Sequence, residues 1–255
     1  MGKKQVLYPR FLDFMVQCGA LLFGDFTLKS GRKSPYFINT GEYKTGAQLA
    51  RLGDFYAKLI DNSVRPENEW GGIDEKTELQ PRTELNDKIK AAFSVLYGPA
   101  YKGIPLVTAA SAKLAQNGLD LNVSFNRKEK KDHGEAGQIL GYIPQNGDKI
   151  AVLEDVTTAG TSVRETIALL ESLRIEARIS ALYISVDRLE RGTGGKSATV
   201  ELAEKYGLRV HSIATAADVV EYLENPTLSA LQIPDAAKHA ANIRAYLKEY
   251  GAADR

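Results

Sequence analysis

Lys149-Ile150-Ala151-Val152-Leu153-Glu154-Asp155-Val156-Thr157-Thr158-Ala159-Gly160-Thr161-Ser162-Val163-Arg164-Glu165 is the stretch on which the reading of this chain turns. Four apolar residues, Ile150 to Leu153, specify a strand buried on both faces, as in a parallel sheet, and Glu154 and Asp155 stand where that strand is expected to end. A hydroxyl-rich turn follows. Ser162 with Glu165 three residues on reads as a capping box, and Val163, Ile167 and Leu170 give the helix behind it an apolar face. The turn from Val156 to Thr161 therefore sits at a helix N-terminus, where free backbone N–H groups and the helix dipole favour a phosphate. Gly160 lets the backbone approach a ligand closely. The two carboxylates would repel that phosphate, so they are expected to face hydroxyl donors or positive charge: a sugar diol, a metal or a developing cation. A ligand with a phosphate at one end and ribose hydroxyls near the other meets both demands.

Outward from this stretch, bulk properties bound the answer. At 255 residues the chain can fold as one large domain, and a formal charge of +1 offers no general argument for nucleic-acid or membrane binding. Cys18 is the one cysteine, which excludes an intramolecular disulfide and a cysteine-rich metal site. Met1-Gly2-Lys3-Lys4 is not followed by a signal-peptide core, and no apolar run would span a bilayer, so a cytoplasmic location is expected.

Pro9 to Leu22 has near-helical spacing of Phe11, Phe14, Met15 and Leu22. Gly24 to Asn39 reads as a hairpin turning at Ser30-Gly31. Gly46 to Asn62 is an amphipathic helix, and residues 63–89 form a polar excursion, read as a surface insertion over about 64–88 with a short helix near Glu84 to Ala92. Ala92 to Tyr97 is a strand ending in Gly98-Pro99-Ala100-Tyr101-Lys102-Gly103-Ile104-Pro105, whose glycines and prolines specify a rigid turn with Lys102 placed to meet an anion. Leu106 to Leu114 supplies a helix. The strand Asn122 to Phe125 precedes a run of charges and glycines, Asn126-Arg127-Lys128-Glu129-Lys130-Lys131-Asp132-His133-Gly134-Glu135-Ala136-Gly137-Gln138. Ile179 to Val186 is a further apolar strand, followed by a helix over Val200 to Tyr206, a last strand over Val210 to Ala214, and helices near Asp218 to Leu223 and Ala236 to Tyr250. Strands alternating with helices, and a ligand turn at a strand end, imply an open, mainly parallel α/β sheet flanked by helices, in one domain over residues 1–255 with a small N-terminal hood, mainly 1–45.

Five segments carry a family resemblance. The Ile150 to Ser162 stretch resembles the phosphoribosyl-pyrophosphate signature of type I phosphoribosyltransferases, an apolar strand, two acidic residues and a T-x-G-[TS]-like loop, with Glu154 where many relatives have Asp. The Gly98 to Pro105 turn is similar to that family's pyrophosphate loop, in which the Ala100-Tyr101 bond would be cis. Phe26-Thr27-Leu28-Lys29-Ser30-Gly31-Arg32-Lys33-Ser34-Pro35-Tyr36-Phe37 and the Asn126 to Glu135 loop resemble segments of the orotate phosphoribosyltransferases, as does Asp187-Arg188-Leu189-Glu190-Arg191-Gly192.

The resemblance implies a set of roles. Phosphoribosyl pyrophosphate would be held by Lys29, Tyr101, Lys102, Arg127, Lys128, Lys131, His133, Glu154, Asp155, Val156, Thr157, Thr158, Ala159, Gly160, Thr161 and Ser162. Orotate would be met by Lys29, Phe37, Ile38, Thr158 and Arg188. Lys131, His133, Asp155 and Glu154 would carry the chemistry, with Mg²⁺ bound through substrate and water rather than by a protein cage. A homodimer is implied, its Arg127 to Gly137 loop shared in trans. Rival readings are a purine-base phosphoribosyltransferase, which has no evident need of the Lys29 and Phe37 segment, and a phosphoribosyl-pyrophosphate-sensing regulator, which the near-neutral charge disfavours.

Overall fold

The computed structural model describes residues 8–28, 31–65, 82–128, 138–157, 160–192 and 195–252. The first helix, α1 (Tyr8–Gln17), buries Phe11, Leu12 and Met15. It stops well short of Leu22, the end expected from its spacing. Gly19 enters the left-handed region at φ 71°, and the N–H groups of Gly19 and Ala20 donate to the carbonyls of Val16 and Met15. That Schellman closure frees Leu21 and Leu22 for a strand, an outcome that apolar spacing alone cannot separate from a fourth helical turn.

Strands β1 (Leu21–Thr27) and β2 (Lys33–Ile38) pair antiparallel as the expected hairpin. A 3₁₀ turn (Thr40–Glu42) leads to α2 (Gly46–Ser63), whose Thr45 and Gln48 form a capping box. Residues 66–81, the middle of the polar excursion, lie outside the described residues, and α3 (Thr83–Ala92) follows them. Arg82, at the start of α3, pairs with the buried Asp61 of α2, so this end of the excursion is packed into the body of the protein. The chain then runs through β3 (Val95–Gly98), α4 (Gly103–Gln116), β4 (Asn122–Asn126), the short edge strand β5 (Ile139–Gly141), β6 (Lys149–Thr157), α5 (Thr161–Ser172) and β7 (Arg178–Asp187). It ends with α6 (Ala198–Tyr206), β8 (Arg209–Thr215), α7 (Ala216–Glu224) and α8 (Ala236–Tyr250).

Six strands form one sheet in the order β5-β4-β3-β6-β7-β8, parallel except where β5 joins β4. Alternation along the central strands feeds two cores. Ala151, Leu153, Ala181 and Tyr183 pack on the layer of α1, α2, α4, α7 and α8, whereas Ile150, Val152, Leu182 and Ile184 pack beneath α5 and α6. Helices on both faces explain why β6 and β7 read as continuous apolar runs.

Two expectations about the central stretch are corrected. β6 does not end at Leu153 but continues to Thr157, which pairs with Asp187, so Glu154 and Asp155 lie inside the strand and are buried. Ser162 does not cap α5: the N-cap is Gly160 at φ 67°, without a side-chain cap hydrogen bond. The left-handed backbone at Gly160 starts the helix at Thr161, two residues too early for a Ser162–Glu165 box. A Cβ at Gly160 would lie 2.7 Å from Leu202 of α6, so close packing of two helices also requires this glycine.

Candidate active site

Strand order reverses between β3 and β6: from β3 the chain moves outward to β4, and from β6 it moves the opposite way to β7. Crossover helices diverge at such a switch point and leave a crevice beyond the strand carboxyl ends. Four of the segments singled out in the sequence converge on this edge.

The turn after β3 is shaped by glycine at both ends. A Cβ at Gly98 would overlap the carbonyl of Gly103, and one at Gly103 would meet the Gly98 carbonyl carbon at 2.8 Å. The Ala100-Tyr101 peptide is cis. The Ala100 N–H donates to Asn126 Oδ1 at 2.9 Å, which fastens the turn to the last residue of β4. From this frame Tyr101 is exposed, with Lys128 Nζ 5.8 Å from its ring centroid. Lys102 reaches across the crevice and donates from Nζ to Asp155 Oδ2 at 2.9 Å.

Asp155 is held on more than one side. Thr40 Oγ1, from the turn after the hairpin, donates to the same Oδ2 at 2.6 Å, and the Ser185 hydroxyl donates to the Asp155 carbonyl. Tyr56 donates its hydroxyl to the Glu154 carbonyl at 2.5 Å. Successive side chains of a strand leave on opposite faces, and these two carboxyls do so: Asp155 faces Lys102 and Thr40, whereas Glu154 faces Ser162 at the start of α5. They do not project together toward one point, as their adjacency in sequence suggested. Burial lifts the Glu154 carboxyl to about 7, the neighbouring Asp155 charge adds to the rise, and the Ser162 hydroxyl opposes it.

One strand further along, Arg188 follows the end of β7 and is buried, with 4% exposure. Its Nε donates to Glu190 Oε1 at 2.6 Å, its Nη2 to Ser34 Oγ at 3.1 Å, and its guanidinium lies over the Tyr36 ring. The hairpin is thereby docked onto the sheet edge. Phe37 is stacked on Phe26 with 5.4 Å between centroids, and Ile38 packs on the main core.

Lys29, Lys131, His133, Thr158 and Ala159 lie outside the described residues, and of Thr157 only the backbone is described. Arg127 donates its backbone N–H to the Gln138 carbonyl at 2.8 Å, tying together the two ends of the basic segment. Val156 pairs with Val186, while Gly160, Thr161 and Ser162 open α5. Thr40, Asn126, Ser34 and Glu190 are site residues that sequence reasoning passed over. Asn126 and Glu190 stand inside quoted motifs without an assigned role, whereas nothing local marks Thr40, whose partner is 115 positions away.

A parallel sheet of this order, with an acidic strand and a basic turn facing each other at the switch point, defines a class: the type I phosphoribosyltransferase fold. No family model matches the chain. It is 43% identical over 244 residues to the orotate phosphoribosyltransferase of Clostridium beijerinckii, covering 95% of this chain and 96% of that one. It is 41% identical over 244 residues to that of Salmonella typhi, covering 95% and 97%. The crystal structure of the Francisella tularensis orotate phosphoribosyltransferase superposes with a TM-score of 0.72 at 32% identity, covering 95% of this chain and all of that one. The chain belongs to the orotate phosphoribosyltransferase family and is a transferase. No described helix is long and apolar enough to cross a membrane.

Proposed function

We propose that the protein transfers the 5-phosphoribosyl group of phosphoribosyl pyrophosphate to orotate, giving orotidine 5′-phosphate and pyrophosphate in pyrimidine biosynthesis. The observation that carries this reading is the 2.9 Å contact of Lys102 with Asp155 across the switch point, one strand away from Arg188. It brings a cation for the leaving pyrophosphate and an anion for the sugar to one crevice, with a second cation beside them for the base.

In this reading the 5′-phosphate is held by the turn from Thr157 to Ser162, at the N-terminus of α5. Asp155 lies near C1′, where positive charge grows as the bond to pyrophosphate breaks, and a preorganised carboxylate there acts mainly in the transition state. Glu154, on the opposite face of β6, supports binding of the sugar from the α5 side. Lys102 exchanges Asp155 for the departing pyrophosphate, and Lys131 and His133 of the basic loop add to its neutralisation. Orotate arrives as an anion and needs no strong base. Phe37 and Ile38 supply its apolar wall, and Arg188 and Lys29 meet its carboxylate and ring edge.

Mg²⁺ takes one or two carboxylates together with phosphate oxygens and water, and an ion carried in by the substrate would need no protein ligand beyond Asp155, which faces the same side of the crevice as Lys102. When bound, it neutralises charge on the pyrophosphate. We further propose one phosphoribosyltransferase domain, with a hood mainly in 1–45 and an insertion at about 64–88. It would work in the cytoplasm as a two-fold dimer whose 127–137 loops reach the neighbouring site.

The decisive experiment incubates purified protein with Mg²⁺ and phosphoribosyl pyrophosphate, and with orotate, adenine or hypoxanthine. Orotate should be consumed with equimolar release of pyrophosphate, whereas use of a purine base in its place would overturn the assignment.

A further inference from the structure

The geometry points to Glu190 as a positioning residue of the base subsite, one carboxylate that fixes the Arg188 guanidinium and ties its orientation to both the N-terminal hairpin and the C-terminal helix. The inference rests on the reading of Arg188 as the group that meets the orotate carboxylate.

Glu190 comes back to Arg188 through a local device. The Leu189 N–H donates to Asp187 Oδ1 at 2.9 Å, and Leu189 adopts φ 53°, in the left-handed region that a leucine seldom occupies. The chain therefore reverses between the two charged residues, and their side chains meet at 2.6 Å while both are buried. Glu190 is then shared. Its Oε1 also accepts the Tyr246 hydroxyl of α8 at 2.8 Å, and its Oε2 accepts Arg32 Nη1 of the hairpin at 3.3 Å. The backbone repeats the link to the C-terminus: Glu190 bridges Gly251, the Arg191 N–H donates to the Tyr250 carbonyl, and the Ala252 N–H donates to the Leu189 carbonyl.

A guanidinium is a planar fork of five N–H donors. Here Nε is committed to Glu190 and Nη2 to Ser34, the face is covered by Tyr36 at 4.3 Å, and Tyr246, set edge-on against that ring, also bonds the Arg188 side chain. Held at the edge, at a tip and on the face, the fork cannot swing, and its remaining N–H groups keep one direction in which to meet an anion. Fixing a donor before the ligand arrives lowers the ordering cost of binding. A carboxylate placed only to balance charge would weaken the attraction for an anionic base, so the two roles differ in sign.

The test compares Glu190→Gln, Tyr246→Phe and Arg188→Ala with wild type, recording kcat, KM for orotate, KM for phosphoribosyl pyrophosphate, and the ratio of kcat/KM for orotate to that for uracil. Glu190→Gln should raise KM for orotate about tenfold and lower the orotate-to-uracil ratio by a similar factor, leaving KM for phosphoribosyl pyrophosphate within about twofold. Tyr246→Phe removes one oxygen that meets both Glu190 and the Arg188 side chain and should shift the same two quantities in the same direction, by about two- to threefold, at an unchanged melting temperature. If both variants keep the wild-type ratio, or raise the two KM values in parallel, Glu190 only supports the fold and the inference fails. Tighter orotate binding by Glu190→Gln would identify a charge brake instead and would equally overturn it. If Glu190→Gln does not fold, Tyr246→Phe decides alone. Arg188→Ala separates the two layers: an unchanged ratio there would show that the reading of Arg188, rather than the clamp, is at fault.

Discussion

Lys102 and Thr40 converge on a single oxygen, Asp155 Oδ2, at 2.9 and 2.6 Å. The two contacts differ in strength and consequence. Lys102 is 60% exposed against 12% for the Asp155 side chain, so the ion pair is largely in water and contributes of the order of 0–1 kcal/mol. A polyanionic substrate can draw Lys102 away at little cost. Thr40 remains, and with it the orientation of the Asp155 carboxylate.

Replacing Asp155 by Asn keeps the shape and removes the charge facing the developing cation. Turnover should fall by about 10²-fold while the melting temperature stays close to wild type. Steady-state kinetics with saturating substrates provide the check, and wild-type turnover would refute the assigned role.

Glu154 should make activity and stability depend on pH in opposite ways. Burial holds its carboxyl at about 7, and the ionised form is the better acceptor for sugar hydroxyls, so kcat/KM should rise as pH increases through about 7. Glu154→Gln should flatten that limb. For stability, the folded protein holds this proton more tightly than the unfolded chain does, so the group's contribution is fully present below 4.5 and is lost as pH rises through about 7. Glu154→Gln should therefore gain melting temperature relative to wild type at pH 8 and lose that advantage at pH 5.

Base selectivity should depend on charge. Hydrogen bonds from Arg188 and Lys29 to an anionic carboxylate contribute roughly 1.5–3 kcal/mol each, so uracil, which lacks that group, should be a poor substrate. Comparable specificity constants for uracil and orotate would rule out a carboxylate-reading site.

Sharing of the loop between subunits predicts complementation. Lys131→Ala and Asp155→Asn, each nearly inactive alone, are mixed under conditions in which tagged chains are shown to exchange. If the loop acts in trans, each mixed dimer has one site carrying both defects and one carrying neither, and activity rises well above both parents. If it acts in cis, mixing restores nothing.

Much of this architecture is local. A helix spanning Ala236–Tyr250, the hairpin closed at Gly31, and the apolar runs of β6 and β7 are legible because period and turn chemistry act over a few residues. Elements settled by their neighbours are not. The three residues of β5 are too few to show a period and exist as a strand because β4 offers an open edge, and Leu21 leaves the helical pattern because Ile38 awaits it across the hairpin.

At the site the division is the same. The sequence by itself determined which residue types were present: the acidic pair, the basic turn and the arginine after β7, each inside a motif whose chemistry can be read without coordinates. Tertiary structure decided how they face one another. It carried β6 past the acidic pair, which set Glu154 and Asp155 on opposite faces because a pleated strand alternates its side chains. It brought Lys102 to Asp155 over 53 positions, Thr40 over 115 and Ser34 to Arg188 over 154. Contacts at such separations are made by the order of strands in the sheet, and no local pattern of residues encodes that order.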